Sequence, residues 1–184
     1  MDAGRRARDE WLALRCQAAD QGAFEALIAD FERPLFFYLL QLVGTQDQAL
    51  DLLQETWIRS FKTFRKLKDP GAVRAWLYTL AHGLAVDHVR RDQVRFRAEE
   101  RFVDGLETNL AADLSSLSAA EIRSALAQLS AEHREVLVLH FLEDFRIIEI
   151  ANILGCPPGT VKSRIYHAKA QVRQILERGE YGTE

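Results

Sequence analysis

The most informative stretch of the sequence is EIANILGCPPGTVKSRIYHAKAQVRQIL, residues 149–176. It has the pattern of two helices joined by a tight turn. Gly155 stands where the first helix must end with a positive φ, and Pro157 and Pro158 suit the start of the next helix. Apolar residues then recur at helical spacing, which predicts a buried stripe on the second helix. That stripe consists of Val161, Ile165, Ala168, Val172 and Ile175.

The second helix of this predicted helix-turn-helix also carries polar and aromatic residues. They fall largely off the buried stripe, near the helix N-terminus, which is the part of a recognition helix that enters the major groove. They are Thr160, Lys162, Ser163, Arg164, Tyr166, His167 and Lys169. Two alternatives stay open here, because helix-turn-helix geometry also occurs in proteins that bind no DNA and a basic helix face is often simply solvated.

The composition predicts an all-α protein with a packed core. The chain has 184 residues, enough for one medium domain or two small ones, and 48% of them are hydrophobic. Gly and Pro are sparse, long alternating strand patterns are absent, and helical periodicity dominates. Cys16 and Cys156 are far apart and lack metal-ligand spacing, so we expect reduced thiols. No apolar run is long enough to cross a bilayer and no secretory signal is present, so we expect a cytoplasmic protein without membrane insertion.

The net charge of −3 hides two basic blocks in an acidic chain. Residues 59–101 carry 11 basic and 5 acidic side chains, and residues 162–178 carry 5 basic and 1 acidic. A general polyanion binder would be basic throughout. The distribution therefore indicates two separate nucleic-acid contacts, with acidic surfaces left for protein partners.

The N-terminal half predicts a first helical run over residues 9–43, interpreted as two amphipathic helices, and a second helical run over residues 47–67. Pro34 should kink the first run or split it near Glu32. A capping box, Thr45 with Gln48, should start the second helix. We expect that helix to bury Ala49, Leu52, Leu53, Thr56, Trp57, Phe61 and Phe64. Its polar face shows Asp51, Gln54, Glu55 and Arg59, which a merely solvated face would also do.

A loop over residues 66–73 and a helix over residues 72–96 follow. Asp69 is placed to cap that helix. The helix combines aromatic and basic residues, as a single-strand stacking surface requires, although an ordinary half-buried tryptophan gives the same pattern. Trp76 and Tyr78 cannot both lie on its buried side. Periodicity then fades, which predicts a linker over residues 98–117, ahead of a capping box at Ser118.

No pattern typical of an enzyme or a metal site occurs. The five histidines are scattered, without HExxH or a Cys/His cluster, and phosphate-binding glycine loops and GxSxG are absent. No pair of acidic residues lies on an otherwise apolar face. We therefore expect no catalytic activity and no cofactor.

Several motifs in a fixed order resemble the extracytoplasmic-function (ECF) sigma factors of the bacterial sigma-70 family. They are DLLQETWIRSFKTF at 51–64, AWLYTLAHGLAVDHVRR at 75–91, LAQLSAEHREVLVLHFLEDF at 126–145 and the helix-turn-helix itself. The resemblance implies two small helical domains joined by a flexible linker. A region 2-like domain would span 1–97, the linker 98–117, a region 4-like domain 118–178 and a tail 179–184.

The resemblance also implies roles for the candidate residues. Core RNA polymerase would bind Asp51, Gln54, Glu55 and Arg59. Recognition and melting of the minus-10 element would use Lys66, Lys68, Arg74, Trp76, Tyr78, Arg90 and Arg91. Recognition of the minus-35 duplex would use the helix-turn-helix residues named above. An anti-sigma factor would be a further partner.

Three departures from the family pattern concern promoter recognition. Gly83, preceded by His82, stands where the family often has asparagine, and His167 stands where arginine is frequent. Arg146 with Ile147 and Ile148 replaces a more polar entry to the helix-turn-helix. Two alternatives remain: a helix-turn-helix regulator acting without core polymerase, and a sigma-like interaction protein that has lost promoter opening, to which only Gly83 points.

Overall fold

The computed structural model describes residues 3–95 and 124–180, and regular structure within these two ranges is helical throughout. The predicted linker 98–117, the capping box at Ser118 and residues 181–184 of the predicted tail lie outside the described residues. Contacts divide the chain into two compact units. The first contains residues 3–95, and the second contains most of residues 124–180. The all-α fold predicted from periodicity is confirmed.

The first unit is built from four helices and two short 3-10 turns. Helix α1 is Ala3–Gln17, α2 is Gln21–Val43, α3 is Gln46–Thr63 and α4 is Val73–Arg95. The turns Phe64–Lys66 and Pro70–Ala72 connect α3 to α4. Helix α2 packs against α1, α3 and α4. The core formed between these helices includes Leu12, Ala13, Leu27, Phe31, Leu35, Tyr38, Leu39, Ala49, Leu53, Leu77, Ala81 and Leu84.

Local signals set the ends of α2, and tertiary packing keeps the helix continuous at Pro34. The Asp20 side chain accepts a hydrogen bond from the Ala23 amide at 3.1 Å, and Gly44 ends the helix with φ 78°. The split predicted near Glu32 does not occur. Phe31 and Leu35 are both fully buried on either side of the proline, and their burial outweighs the roughly 3 kcal/mol cost of an interior proline.

The capping expectations are met in part. Asp69 accepts a hydrogen bond from the Gly71 amide at 3.0 Å, as a cap should. Thr45 occupies the N-cap position of α3, but its hydroxyl donates to the Gln48 side-chain oxygen at 2.9 Å and caps no backbone amide.

Burial raises the pKa of Cys16 to about 11, so this thiol stays protonated at neutral pH and is unreactive.

The second unit contains the helix-turn-helix. Helix α5 is Ala131–Leu137 and continues into a π-helical turn at Val138–Leu142; α6 is Ile147–Leu154 and α7 is Pro158–Glu180. Gly155 ends α6 with φ 62°, as predicted from its position. One face of α7 packs on a core that includes Ala125, Leu126, Leu129, Leu137, Ala168 and Val172. The helix-turn-helix predicted from residues 149–176 is confirmed.

Candidate nucleic-acid interface

The start of α7 presents the predicted recognition surface. Amides of Thr160 and Val161 bond to the Pro157 carbonyl at 2.9 and 3.2 Å, which holds the first turn of the helix in place. Val161, Ile165, Ala168 and Val172 of the apolar stripe are buried as predicted, and Ile175 is half-buried. The residues off that stripe with exposed side chains are Lys162, Ser163, Tyr166, His167 and Lys169. Tyr166 is 72% exposed, so an aromatic ring stands on this polar face.

Two of the three cations predicted on this face already have partners within the protein. Arg164 is half-buried and forms an ion pair with Glu132 of α5 at 2.9 Å. The Lys169 ammonium lies 4.7 Å from the centre of the Phe141 ring, within cation–π range. Lys162 therefore stands out as an exposed cation whose charge faces solvent. Sequence reasoning missed Glu132, because an acidic residue 32 positions away gives no local signal.

His167 lies in a small aromatic group at the edge of this surface. Its ring stacks on His133 with centroids 6.5 Å apart and meets the edge of Tyr166 at 5.4 Å. The His133 ring nitrogen is in turn 2.8 Å from the Gln171 side-chain oxygen. The histidine that replaces a frequent arginine of the family is thus packed against a neighbouring ring while remaining exposed.

The first unit has a second basic surface, on the turns before α4 and along α4 itself. Lys66 and Lys68 are exposed on the turns, and Arg90 and Arg91 are exposed near the end of α4. Arg91 donates to the Asp87 carbonyl at 3.0 Å, and Arg90 lies 3.5 Å from the Asp87 carboxylate. Both arginines are exposed, so a phosphate could accept hydrogen bonds from their guanidinium groups.

Two residues expected on this surface are buried instead. Tyr78 is 0% exposed and packs its ring against Tyr38 at 5.1 Å, while Arg74 is 6% exposed. Both lie on the α4 face that packs into the core together with Leu77 and Ala81. In this conformation neither side chain can stack on a base or reach a phosphate. Trp76 is half-buried where this core face of α4 meets the exposed face. Its ring and the Phe64 ring are arranged edge to face, with centroids 5.1 Å apart.

Gly83 occupies an exposed position in the middle of α4. A Cβ atom built there meets no atom within 4 Å, and the backbone is helical. No close approach or unusual backbone angle therefore requires glycine at this position. Because Gly83 has no side chain where the family often has asparagine, the surface of α4 is uncovered at this position.

We expect Gly83→Ala to stabilise the first unit by about 1 kcal/mol, because alanine loses less backbone entropy than glycine in a helix interior. Urea denaturation followed by tryptophan fluorescence measures this, since all three tryptophans, Trp11, Trp57 and Trp76, lie in the first unit. Thr79→Ala, at another exposed position of α4, is the control. A loss of stability in Gly83→Ala would show that the site is sterically restricted.

The outer side of α3 carries the residues assigned to polymerase binding. Asp51, Gln54 and Arg59 are exposed, and Glu55 accepts a 2.8 Å hydrogen bond from Arg59. Leu50, Ile58 and Phe61 lie beside them and are 49%, 48% and 69% exposed. Positions 50, 54, 58 and 61 are three and four residues apart, so they share one side of the helix. We call the surface formed by Leu50, Asp51, Gln54, Ile58, Arg59 and Phe61 the outer α3 face.

The exposure of Phe61 contradicts the prediction that it is buried. The buried side of α3 is formed by Leu52, Leu53, Thr56 and Ser60, and Phe61 lies at its edge, with its ring 5.2 Å from Phe24. The spacing of apolar residues in α3 is compatible with Phe61 on either the buried or the exposed side of the helix. Three exposed large apolar side chains on one helix side are typical of an interaction surface.

Comparison with known proteins identifies the family. The family described as Sigma-70 region 2 matches residues 27–95, and Sigma-70, region 4 matches residues 119–172. The ECF RNA polymerase sigma factor SigL of Mycobacterium tuberculosis is 34% identical over 165 residues, which cover 87% of this chain and 92% of SigL. This chain belongs to the ECF sigma factor family.

Other relatives agree with this assignment. The ECF sigma factor SigW of Bacillus subtilis is 27% identical over 85% of this chain and 90% of SigW. The structure of CnrH, solved in complex with the cytosolic domain of CnrY, superposes with a TM-score of 0.67 at 25% identity and covers 93% of this chain and 98% of CnrH. The sigma factor RpoE of Bartonella quintana, solved with the anti-sigma factor NepR, shares the fold with a TM-score of 0.66 at 24% identity, over 84% of this chain and 96% of RpoE.

The sigma factor therefore acts in transcription initiation. It directs core RNA polymerase to promoter DNA, and these two partners are those predicted from the motifs. The alternative, a helix-turn-helix regulator acting without core polymerase, is set aside. Sigma factors as a class are non-catalytic initiation factors. No helix of the sigma factor, within the residues described, is sufficiently long and apolar to cross a bilayer.

Proposed function

We propose that the two exposed basic surfaces contact the two promoter elements. The observation that carries this proposal is that each unit has its own basic surface: Lys162 and its neighbours on α7, and Lys66, Lys68, Arg90 and Arg91 around α4. The surface on α7 recognises the minus-35 element as duplex. The surface around α4 binds the minus-10 element during strand opening.

On α7 the residues divide into two roles. Lys162 and Arg164 hold phosphates or guanine edges, together with Lys169, because cationic donors suit both acceptors. Ser163, Tyr166 and His167 contact base edges, and Thr160 lies beside them at the first turn of the helix. Glu132 keeps Arg164 in one orientation through its ion pair and thereby limits which acceptors the guanidinium can reach.

Around α4, Trp76 is the aromatic residue we assign to stacking on an unpaired base, since it is half-exposed where Tyr78 is not. Lys66 and Lys68 project from the turns, and Arg90 and Arg91 attract the phosphates of the separated strand. Arg74 and Tyr78 support this surface from the core. Flipping a base costs a few kcal/mol, which stacking and pocket contacts offset.

The outer α3 face is the proposed binding site for core RNA polymerase. It supplies polar groups for specificity, Asp51 and Gln54 among them, and an apolar centre of Leu50, Ile58 and Phe61. Glu55 supports the face by its hydrogen bond to Arg59. Interfaces of this composition bury apolar anchors at the centre and keep polar groups at the rim.

We assign the domains as predicted, with a region 2-like domain at 1–97, a linker at 98–117, a region 4-like domain at 118–178 and a tail at 179–184. We also propose that an anti-sigma factor covers the outer α3 face, as its exposed apolar side chains suit a protein partner. The RpoE structure solved with NepR supports such a partner for this fold. The protein acts in the cytoplasm, where promoter DNA is found, and has no enzymatic activity of its own.

The salt dependence of promoter binding tests the role of α7. Lys162→Ala is expected to lower the slope of log K against log salt concentration by about one, because one phosphate contact is lost. Arg164→Ala is expected to lower that slope less, since Glu132 already neutralises Arg164. Binding of the holoenzyme to duplex promoter fragments, followed by fluorescence anisotropy, gives these slopes.

Lys68→Ala is the matched control for this measurement, as an exposed lysine on the other unit. Lys68→Ala should not change the affinity for a promoter fragment that ends upstream of the minus-10 element. An unaltered slope in Lys162→Ala would mean that Lys162 touches no phosphate, and the assignment of α7 to the minus-35 duplex would lose its main support.

A further inference from the structure

Helix α1 lies N-terminal to residues 27–95, the part of the first unit that matches the Sigma-70 region 2 family. It packs against the two turns that connect α3 to α4, Phe64–Lys66 and Pro70–Ala72, as well as against α2. Lys66 ends the first turn and Lys68 lies between the two turns, and the proposed function places both lysines at the minus-10 element. Helix α1 therefore packs directly against the segment to which the proposed function assigns contact with DNA.

Gln17 makes a close polar contact between α1 and the segment that joins these turns. Its side-chain amide donates a hydrogen bond of 2.6 Å to the Leu67 carbonyl. The Leu67 amide donates to the Phe64 carbonyl at 3.0 Å, and the Leu67 side chain is 8% exposed. Leu67 is thus fixed through its amide, its carbonyl and its side chain. Lys66 and Lys68 flank Leu67 and are exposed, so the hydrogen bonds of Leu67 hold the backbone from which both lysines project.

A second contact lies at the other end of the same segment. Asp9 of α1 is 3% exposed and faces the charge of Arg74, which is 6% exposed at the start of α4. Burial raises the pKa of Asp9, and the positive charges of Arg5 and Arg74 oppose that shift. The carboxylate of Glu10 also lies beside Gly71, 3.8 Å from the place of its missing Cβ. Helix α1 therefore contacts the segment at Leu67 and at Gly71, and the charge of Asp9 acts on Arg74 where α4 begins.

Helix α1 is itself held firmly, so it can act as a fixed support. Leu12 and Ala13 are buried against the first unit. Arg8 forms a 2.8 Å ion pair with Asp30 of α2, and Arg15 forms one of 2.6 Å with Asp20. The Arg15 hydrogen bond lowers the pKa of Asp20, which also caps α2. The end of α1 that carries Gln17 is thereby tied to the start of α2.

We propose that α1 sets the conformation of the turns that recognise the minus-10 element, with Gln17 as a positioning residue for this recognition. The proposal rests on the proposed function of these turns. Gln17 touches no DNA in this account and acts through the Leu67 carbonyl. Its loss should therefore change how well the protein discriminates between minus-10 sequences, while binding of core polymerase stays the same.

The test uses the holoenzyme and the promoter that gives the strongest start in a pooled run-off assay. Strand opening is measured by permanganate reactivity of unpaired thymines on that promoter and on variants with one minus-10 base changed. Gln17→Met keeps the side-chain volume and removes the donor. For each variant, strand opening on the parent promoter is divided by strand opening on a promoter with one changed minus-10 base. We expect Gln17→Met to lower this ratio about fivefold, because the net contribution of one hydrogen bond corresponds to a factor of that size.

Two further variants separate positioning from stability. Gln17→Lys keeps a donor for the Leu67 carbonyl and should restore most of the discrimination. Gln21→Met changes an exposed glutamine at the start of α2 and should behave as the parent protein. Unchanged discrimination in Gln17→Met would overturn the proposal. So would a parallel loss of core binding and strand opening that Gln17→Lys does not rescue, since the role would then be structural.

The double variant Lys66→Ala with Lys68→Ala distinguishes failure of this inference from failure of the proposed function. If that variant opens all promoters as the parent does, the turns do not contact the minus-10 element and both proposals fall. If it impairs opening while Gln17→Met discriminates normally, only the positioning role of α1 is wrong.

Discussion

Ile58→Asp is expected to lower the affinity of the sigma factor for core RNA polymerase by about 30-fold or more, the effect of losing an interface hot spot. Ile58 lies at the centre of the outer α3 face, between Gln54 and Phe61, and is 48% exposed. In the complex a carboxylate at this position would be buried without a partner, which costs several kcal/mol. Binding of labelled protein to core polymerase, measured by anisotropy or calorimetry, gives the affinity.

Val86→Asp is the matched control for this prediction. Val86 is also 48% exposed and lies on α4, outside the outer α3 face. It should bind core polymerase as the parent does, and both variants should keep the helical circular dichroism of the parent. If Ile58→Asp folds and binds core polymerase normally, the outer α3 face is not the polymerase site, and its exposed apolar side chains need another partner.

Arg134→Ala is expected to destabilise the second unit by about 3 kcal/mol, because several charge-assisted hydrogen bonds to backbone carbonyls are lost. The Arg134 guanidinium donates to the carbonyls of Leu126, Ala127 and Leu129 at 3.0, 3.3 and 3.1 Å. The Leu126 and Ala127 carbonyls end the helical turn at 124–127 and the Leu129 carbonyl follows it, so Arg134 acts as a cap for this turn. Burial lowers the pKa of Arg134, which remains charged.

The distribution of tryptophans makes this effect measurable in the full chain. All three tryptophans lie in the first unit, so urea unfolding followed by tryptophan fluorescence should be the same as for the parent. The circular dichroism transition of the second unit should move to lower urea. Arg134→Lys keeps the positive charge but lacks the planar guanidinium group, so its urea midpoint should lie between those of the parent and of Arg134→Ala. Arg173→Ala, at an exposed position of α7, is the control, and an effect of Arg134→Ala no greater than the effect of Arg173→Ala would contradict the capping role.

The parts of the fold predicted from sequence are those with local causes. Gly155 needs a positive φ at the end of α6, the prolines suit the start of α7, and the stripe of Val161, Ile165 and Ala168 repeats at helical spacing. Each of these signals lies within a few residues of the structure it determines. The same holds for Asp69, which caps the turn that follows it directly.

The parts that sequence reasoning missed have distant causes. Periodicity showed that Trp76 and Tyr78 could not both be buried, but the partner that decides between them, Tyr38, is 40 residues from Tyr78. The pairing of Arg164 with Glu132 and the support of Leu67 by Gln17 likewise join residues far apart in the chain. Phe61 lies at the edge of the α3 stripe, where the pattern fits either side. The exposure of the polar residues at the start of α7 was therefore predictable from periodicity, whereas the burial of Tyr78 and the internal partners of Arg164 and Leu67 were not.

Run-off transcription shows whether the protein makes core RNA polymerase start transcription at specific promoters. Purified protein is added to bacterial core RNA polymerase with a pool of promoter fragments, and the transcript starts are mapped. We predict specific starts that share an upstream pair of sequence elements and depend on the added protein. Tight binding to core polymerase without any specific start would contradict the claim and leave an interaction protein that has lost promoter opening, the alternative to which Gly83 points.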